Sequence, residues 1–360
     1  MIQSFFTKDQ HWLDKWDAFL QESERGLYNQ LSDWVKSYEV YGFDSTFLIV
    51  TDNDKIIGGC GIVIAKALFF KFYCIPCGPV LLNEYEDKVD FILEKLKEDA
   101  VKYGCCYFQI SLPVVNSEMA FSDYTIKNLS ETSSYFSGES GTKFKYVIPL
   151  YGMRLVNLHH KTYEEVVANF STNHKRNIAN TKKEALAFKF VTNPNEIEAG
   201  YNCFVLNASE KGYPLRSFES MQKTLNDYIR KDFARMGCCF LNDTIIGAIY
   251  IMKTGKRFIY INGGVLKEFQ HLNVSHFMHN SVIEHSIQLG YKSYDISVGG
   301  SPGVIKFKEG FGSELYPFIE TKHWILKPLT FKVYLLIEKN LRRHKSKVAH
   351  FLVKAKKFKF

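Results

Sequence analysis

The residues best suited to chemistry are Lys306 and Lys308, which bracket Phe307 and precede Phe311 in the stretch 291–315, YKSYDISVGGSPGVIKFKEGFGSEL. Two ammonium groups and two rings beside a strand end suit an anionic or carbonyl-bearing substrate. A cation stabilises negative charge developing on a carbonyl oxygen, and the rings shape and dry a pocket. The competing reading is a pair of solvated loop lysines around a β-bulge, because lysine is almost never fully buried.

The elements that position these groups are legible in outline. Tyr294, Ile296 and Val298 alternate with smaller or polar residues as a buried strand does, and Gly299, Gly300, Pro302 and Gly303 stop it. The Lys-Phe-Lys segment is therefore expected on a tightly folded loop at the strand end. Asp54-Lys55-Ile56-Ile57-Gly58-Gly59 recurs as Asp243-Thr244-Ile245-Ile246-Gly247-Ala248, and Gly104 to Ile110 recurs as Gly290 to Ile296, offset by 189 and 186 residues. Nearly equal offsets imply a duplicated unit. Each copy reads as a strand, a turn and a strand (Phe47–Val50 to Gly61–Ile64; Gly237–Leu241 to Gly247–Met252), then further strands, a helix (88–103; 275–289) and a buried strand. Asn273 or Ser275 is the expected cap of the second helix. Between the copies, 162–188 reads as one long helix, with Val166, Val167, Phe170, Ile178 and Ala185 inward and His174, Lys175, Arg176, Lys182 and Lys183 outward.

Length and composition bound the rest. The 360 residues, 46% of them hydrophobic, suffice for two globular domains. No apolar run has signal-peptide or membrane-spanning length, which predicts a cytoplasmic location. Eight cysteines fit a reducing compartment as small hydrophobes. Cys74 and Cys77 have CxxC spacing, but a zinc site needs a second ligand pair, so packing is the stronger reading. The net charge of +8 is concentrated in the tail, where 339–360 holds nine Lys/Arg and no Asp/Glu, leaving 37 basic against 38 acidic residues elsewhere. Val333, Leu336, Ile337 and Leu341 share a helical face that leads into this run. The lysines and phenylalanines beyond suit an anionic membrane surface or tRNA phosphates. No Walker loop, GxSxG elbow or HExxH occurs. The stretch 263–273, GGVLKEFQHLN, lacks the glycine spacing with which acetyltransferases cradle the coenzyme A pyrophosphate, as does 77–82.

The run Tyr294-Asp295-Ile296, Gly299-Gly300-Ser301 and Phe307-Lys308-Glu309-Gly310-Phe311-Gly312 resembles the C-terminal pattern of the Fem family, the peptidoglycan interpeptide-bridge aminoacyltransferases. Gln30 with Trp34 and Lys36, Ile75-Pro76 with Gly78-Pro79, the helix around Arg176, and Arg216-Ser217 extend the resemblance over nearly the whole chain. It implies an α/β (α+β) fold of two tandem GNAT-like domains, each a mixed sheet flanked by helices. The first domain is expected at residues 1–150 and the second at 151–326. A C-terminal helix and basic tail, 327–360, would pack back on the first. It implies transfer of an amino acid from aminoacyl-tRNA, a co-substrate and not a bound cofactor, to an amine of a UDP- or lipid-linked muramyl peptide. Lys308 would stabilise the developing oxyanion and Asp295 is the nearest carboxylate to orient or deprotonate the amine. Lys306, Phe307 and Phe311 would line the site, and Lys36, Arg216 and Tyr260 the acceptor. Lys175 and Arg176 would contact donor phosphate. Two departures stand out. Ser220 occupies the position four residues after Arg216 where family members carry an aromatic, and no heptad stretch matches the coiled-coil arm of some members. The alternatives are an acyl-CoA-dependent N-acyltransferase of surface polysaccharide or lipid assembly, and a non-catalytic binding protein on the same fold.

Overall fold

The computed structural model describes residues 1–115, 121–127, 129–147, 149–213, 215 and 217–343. The first half runs β1 (Ile2–Thr7), α1 (Gln10–Glu22), α2 (Ser32–Lys36), β2 (Asp44–Asp52), β3 (Lys55–Ala67), β4 (Phe70–Ile75), β5 (Val80–Leu81), α3 (Val89–Lys102), β6 (Tyr107–Ile110) and β7 (Glu139–Ser140). The second runs β8 (Gly152–Asn157), α4 (Tyr163–Ala168), α5 (Thr172–Thr181), β9 (Leu186–Val191), α6 (Pro194–Lys211), α7 (Phe218–Arg230), β10 (Ala234–Leu241), β11 (Thr244–Thr254), β12 (Arg257–Val265), α8 (Val274–Gln288), β13 (Ser293–Asp295), α9 (Pro302–Glu309) and β14 (Glu314–Pro317). Strand β15 (Lys322–Ile325) and helix α10 (Pro328–Arg343) close the described chain.

Two mixed sheets result. One has the order β1-β2-β3-β4-β6-β15-β7, with β5 on β3, and the other β14-β8-β13-β12-β11-β10-β9. The duplication is visible in backbone detail. The β2–β3 and β10–β11 hairpins turn through Asn53-Asp54 and Asn242-Asp243, with φ of 47 and 65° in the first and 48 and 65° in the second. Asn and Asp tolerate this left-handed pair, the geometry of a two-residue hairpin that matches strand twist. The register then shifts at Val50/Thr51 and at Cys239/Phe240. In each half a helix, α3 or α8, leads to a strand that pairs in parallel, β6 on β4 and β13 on β12. Helix α8 is held by Val274, Met278, Val282 and Ile283, all buried, each contributing about 1.5–3 kcal/mol of apolar burial. Asn273 occupies its cap position in a left-handed conformation without a side-chain capping bond.

Two expectations about the organisation are corrected. Strand β15, inside the range assigned to the second domain, pairs with β6 and β7 of the first sheet, so the chain returns before residue 326. Helix α10 stays with that sheet, Phe331 stacking on Tyr107 at 4.9 Å and Tyr334 meeting Phe72 at 4.6 Å. The single helix over 162–188 is instead α4, α5 and β9. Thr162 and Glu165 form a capping box, Ser171 caps a second helix by accepting from the His174 N–H, and Phe188 and Phe190 alternate on an edge strand. Ala185 is exposed and His174 is buried, the reverse of the expected facing.

The halves share one core, in which Trp16, Leu20 and Val35 of α1 and α2 belong with Tyr201, Phe204 and Tyr250 of the second sheet side. Fully buried Arg257 on β12 reaches across, donating to the Glu24 and Gly26 carbonyls at 2.8 and 3.1 Å under the Tyr124 ring. Helix α2 is set by buried Asp17, which accepts from the Ser32 N–H at 2.7 Å and its hydroxyl at 2.6 Å. The longest helix among the described residues, α6, has 18 residues, so no long arm is present among them.

Candidate active site

The Lys-Phe-Lys segment lies on helix α9 and not on a loop. Ser301 takes the cap position and Pro302 the first turn, where its fixed φ suits a helix start. Residues two apart on a helix point to different faces. Lys308 is accordingly buried, at 2% exposure, while Lys306 is exposed. The strand expected through Val298 ends at Asp295, and Ser297 follows at φ 63°.

The Lys308 ammonium donates to the Ser297 carbonyl at 3.0 Å, the Ser297 hydroxyl at 2.8 Å and the Gly299 carbonyl at 2.6 Å, and lies 5.5 Å from the Tyr260 ring centroid. Three N–H groups thus meet three oxygens. Burial lowers its pKa to about 8, against the favourable field of Asp295. The Asp295 carboxylate accepts from the N–H of Ser297 at 2.8 Å and of Arg154 at 3.3 Å. Its burial raises the carboxyl and the Arg257 charge opposes that rise. Asp295 is 5% exposed, and its two backbone bonds hold the Ser297 turn under Lys308. Asp295, Lys308 and Phe311 are all buried behind the walls of the two cavities described below and line neither.

Around Phe307 and Phe311 the structure gathers three histidines that the sequence reading left unused. His174 of α5 donates from Nε2 to the Phe307 carbonyl at 2.8 Å, while its Nδ1 meets the Ser171 hydroxyl at 2.9 Å. His276 and His279, three apart on α8, lie 5.0 and 5.5 Å from the Phe307 ring. Asn177 Nδ2 donates to His276 Nε2 at 3.2 Å, and His279 Nδ1 is 2.9 Å from the Tyr294 hydroxyl. Burial pulls the pKa of His276 down to about 4 and of His279 to about 3, the latter helped by the Lys308 charge, so both are neutral at pH 7. Gly310 makes the cluster possible, because a Cβ there would sit 1.9 Å from His174 Cε1. The three-residue spacing of His276 and His279 on α8 was the one available signal, and His174 on α5 offered none.

Two cavities flank this region. A space of about 330 Å³ is lined by Tyr260, Phe307, His276, His279, Asn207 and Gly263 among others. A second, of about 580 Å³, is walled by Trp34, Ser37 and Tyr38 from the first half and by Tyr201, Leu215 and Tyr250 from the second. Tyr260 therefore belongs to the Phe307 cavity, with the Lys308 ammonium 5.5 Å from its ring, and not to the inter-half cleft. Lys36 lines neither, donating to Gln10 Oε1 at 3.0 Å beside the cleft. Arg216 lies outside the described residues, although its neighbour Leu215 faces the cleft. Lys175 and Arg176 are exposed, bonded to the Ala168 carbonyl and to Asn173.

A duplicated mixed sheet, with the parallel strand after a crossing helix and a cavity beside it, defines a tandem acyltransferase architecture. Residues 168–309 match the acetyltransferase (GNAT) domain. Residues 13–237 match the FemAB family, to which the chain belongs. It is 20% identical to the aminoacyltransferase FemA of Staphylococcus aureus, over 85% of this chain and 92% of that protein. Among solved structures it is similar to FemX, with a TM-score of 0.75, 13% identity, and coverage of 92% of this chain and 99% of that one. The C-terminal domain of a putative lysylphosphatidylglycerol synthetase from Agrobacterium fabrum has a TM-score of 0.56 at 11% identity, covering 87% and 92%. The chain is thus an enzyme of the acyl-transferring class. No helix among the described residues is long and apolar enough to cross a membrane.

Proposed function

We propose that the protein transfers an amino acid from aminoacyl-tRNA to an amine of a peptidoglycan precursor stem peptide. The observation that carries this reading is the buried Lys308 ammonium behind Tyr260 and Phe307, in a chain of the FemAB family. The amine nitrogen attacks the aminoacyl ester carbon, the C–O bond to the terminal ribose breaks, and a proton passes to the departing oxygen. Negative charge on the carbonyl oxygen limits this step, and a cation held in a dry site is suited to stabilise it. Lys308 exchanges one existing bond to do so. The Ser297 hydroxyl is the partner most readily released, since it can rotate. The cavity of Tyr260, Phe307, His276 and His279 takes the aminoacyl end, and the cleft beside Lys36 and Leu215 takes the acceptor. The basic tail beyond residue 343 holds the enzyme at an anionic membrane surface, where a lipid-linked precursor resides.

A donor without a pyrophosphate cradle is supported by the turn before α8, which is a short 3₁₀ helix over Lys267–Leu272 instead of a glycine loop. The GNAT match over 168–309 favours a second reading, an acyl-CoA donor. Incubation of purified protein with charged tRNA or with acetyl-CoA, each with a muramyl-pentapeptide acceptor and read by mass shift, decides between them. A mass increase with acetyl-CoA alone would overturn the tRNA reading.

A further inference from the structure

Three of the hairpin turns in the duplicated sheets are polar or carry glycine: Asn53-Asp54, Asn242-Asp243 and Gly255-Lys256, the last joining β11 to β12. The turn joining β3 to β4 is Leu68-Phe69, offset by 187 residues from Gly255-Lys256 and so its counterpart in the first half. Leu68 is 75% exposed at φ 56° and Phe69 is 72% exposed. A bulky apolar residue in the left-handed region, at a position where the other copy has glycine, is costly both in backbone conformation and in hydration.

The same corner of the molecule carries a second apolar feature. On α10, Phe331 and Tyr334 face the sheet, and Tyr334 lies 5.5 Å from Phe70, the residue after Phe69. Leu329, Val333 and Leu336, spaced by four and three residues, share the opposite face and are 83, 45 and 58% exposed. The charges around these features are mostly basic, and Asp44, which feels the Lys66 charge, is paired with Lys8. Exposed Lys66 precedes the turn, exposed Lys332 and Lys339 flank the helix stripe, and α10 has Glu338 as its one acidic residue before a C-terminal segment with no acidic residue at all. Apolar tips set among lysines complement one kind of surface in particular, a bilayer whose headgroups are anionic and whose interior accepts Leu and Phe.

We infer that the β3–β4 turn and the outer face of α10 form a membrane-docking surface, with Leu68 and Phe69 inserting between anionic lipid headgroups. This deepens the membrane placement proposed above and rests on it, while standing apart from the donor and acceptor chemistry. The tail supplies long-range attraction and the turn supplies apolar anchorage.

The test is sedimentation of the full chain with phosphatidylglycerol/phosphatidylcholine vesicles at low salt, compared with a Leu68→Gly/Phe69→Lys variant and with a chain lacking residues 345–360. The double variant installs the turn of the second half and adds a positive charge, so any loss of binding reflects apolar contact. Binding is expected to weaken by about tenfold or more, with unchanged melting temperature and unchanged transfer to a water-soluble acceptor. Phe69→Ser alone leaves Leu68 in place and is expected to act in the same direction. Wild-type binding by both variants, with binding lost only on tail deletion, would overturn the docking surface and leave the tail reading standing. A wild-type chain that ignores anionic vesicles would overturn both. Self-association that the turn variant abolishes, with vesicle binding unchanged, would mark a contact between copies and also overturn the inference.

Discussion

Replacing Lys308 by Met separates a catalytic ammonium from a structural one. One pKa unit corresponds to about 1.36 kcal/mol, so lowering Lys308 from 10.5 to about 8 places a burial penalty of about 3 kcal/mol on the charged form. The sign is that of a depressed base: the penalty is complete below pH 8 and fades as pH rises from 8 towards 10.5, where the folded state has already released its proton. Met removes this penalty but leaves the Ser297 and Gly299 carbonyls without their donor, at about 1–3 kcal/mol each. The opposing effects are of similar size, and the melting temperature at pH 7 is expected to move by only a few degrees, about what 1–2 kcal/mol produces. Transfer is affected very differently. Loss of one preorganised donor to a developing oxyanion costs about 3 kcal/mol, hence about 100-fold or more in single-turnover rate. Exposed Lys306→Met is expected to lose less than about threefold. The wild-type rate is also expected to decline above pH 8, as Lys308 loses its charge. Single-turnover transfer from charged tRNA across pH 6–10, with thermal melts of each variant, provides the assay. A Lys308→Met enzyme as fast as wild type would remove Lys308 from the chemistry.

Other residues give independent tests. Asp17 is buried and its pKa is raised to about 6 chiefly by desolvation, so its charge weakens the fold as pH climbs from about 4 through 6. Asp17→Asn should therefore raise the melting temperature at pH 7 and change it little at pH 4, and an equal change at both pH values would contradict this. Gly310→Ala drives a methyl into His174 and should destabilise by about 1–3 kcal/mol in denaturant titration, with His174→Ala restoring part of the loss; additive effects would refute the clash. For the donor, aminoacyl-tRNA binding should weaken steeply with salt in filter binding while coenzyme A gives no saturable heat in calorimetry. Tight acetyl-CoA binding would transfer support to the thioester reading.

What the sequence disclosed and what it concealed have physical causes. The duplication was readable because two-residue hairpins need left-handed residues, and Asn53-Asp54 and Asn242-Asp243 supply them at nearly the same offset as the glycines that end α3 and α8. Helix α10 was readable as a helix from its apolar spacing, but its packing face was not, since Phe331 and Tyr334 meet the sheet while Val333 and Leu336 of the expected face are exposed. The split of 162–188 was concealed because Ser171 looks like any polar residue on a helix surface until its side chain is seen to cap His174. The site was half visible. Glycines at 299, 300 and 303 suggested a loop, yet Ser301-Pro302 is a helix start, and turning a loop into α9 sends one lysine inward and the other outward. Periodicity cannot reveal that, since eight residues hold barely two turns. The gathering of the histidines was hidden for a different reason. His174 is about a hundred residues from His276 and His279, and what joins them is the packing of α5 on α8 over a glycine too small to keep them apart. A buried lysine with every N–H paired, beside neutral histidines, is costly for a fold to maintain, and that cost is the physical ground for placing the chemistry there.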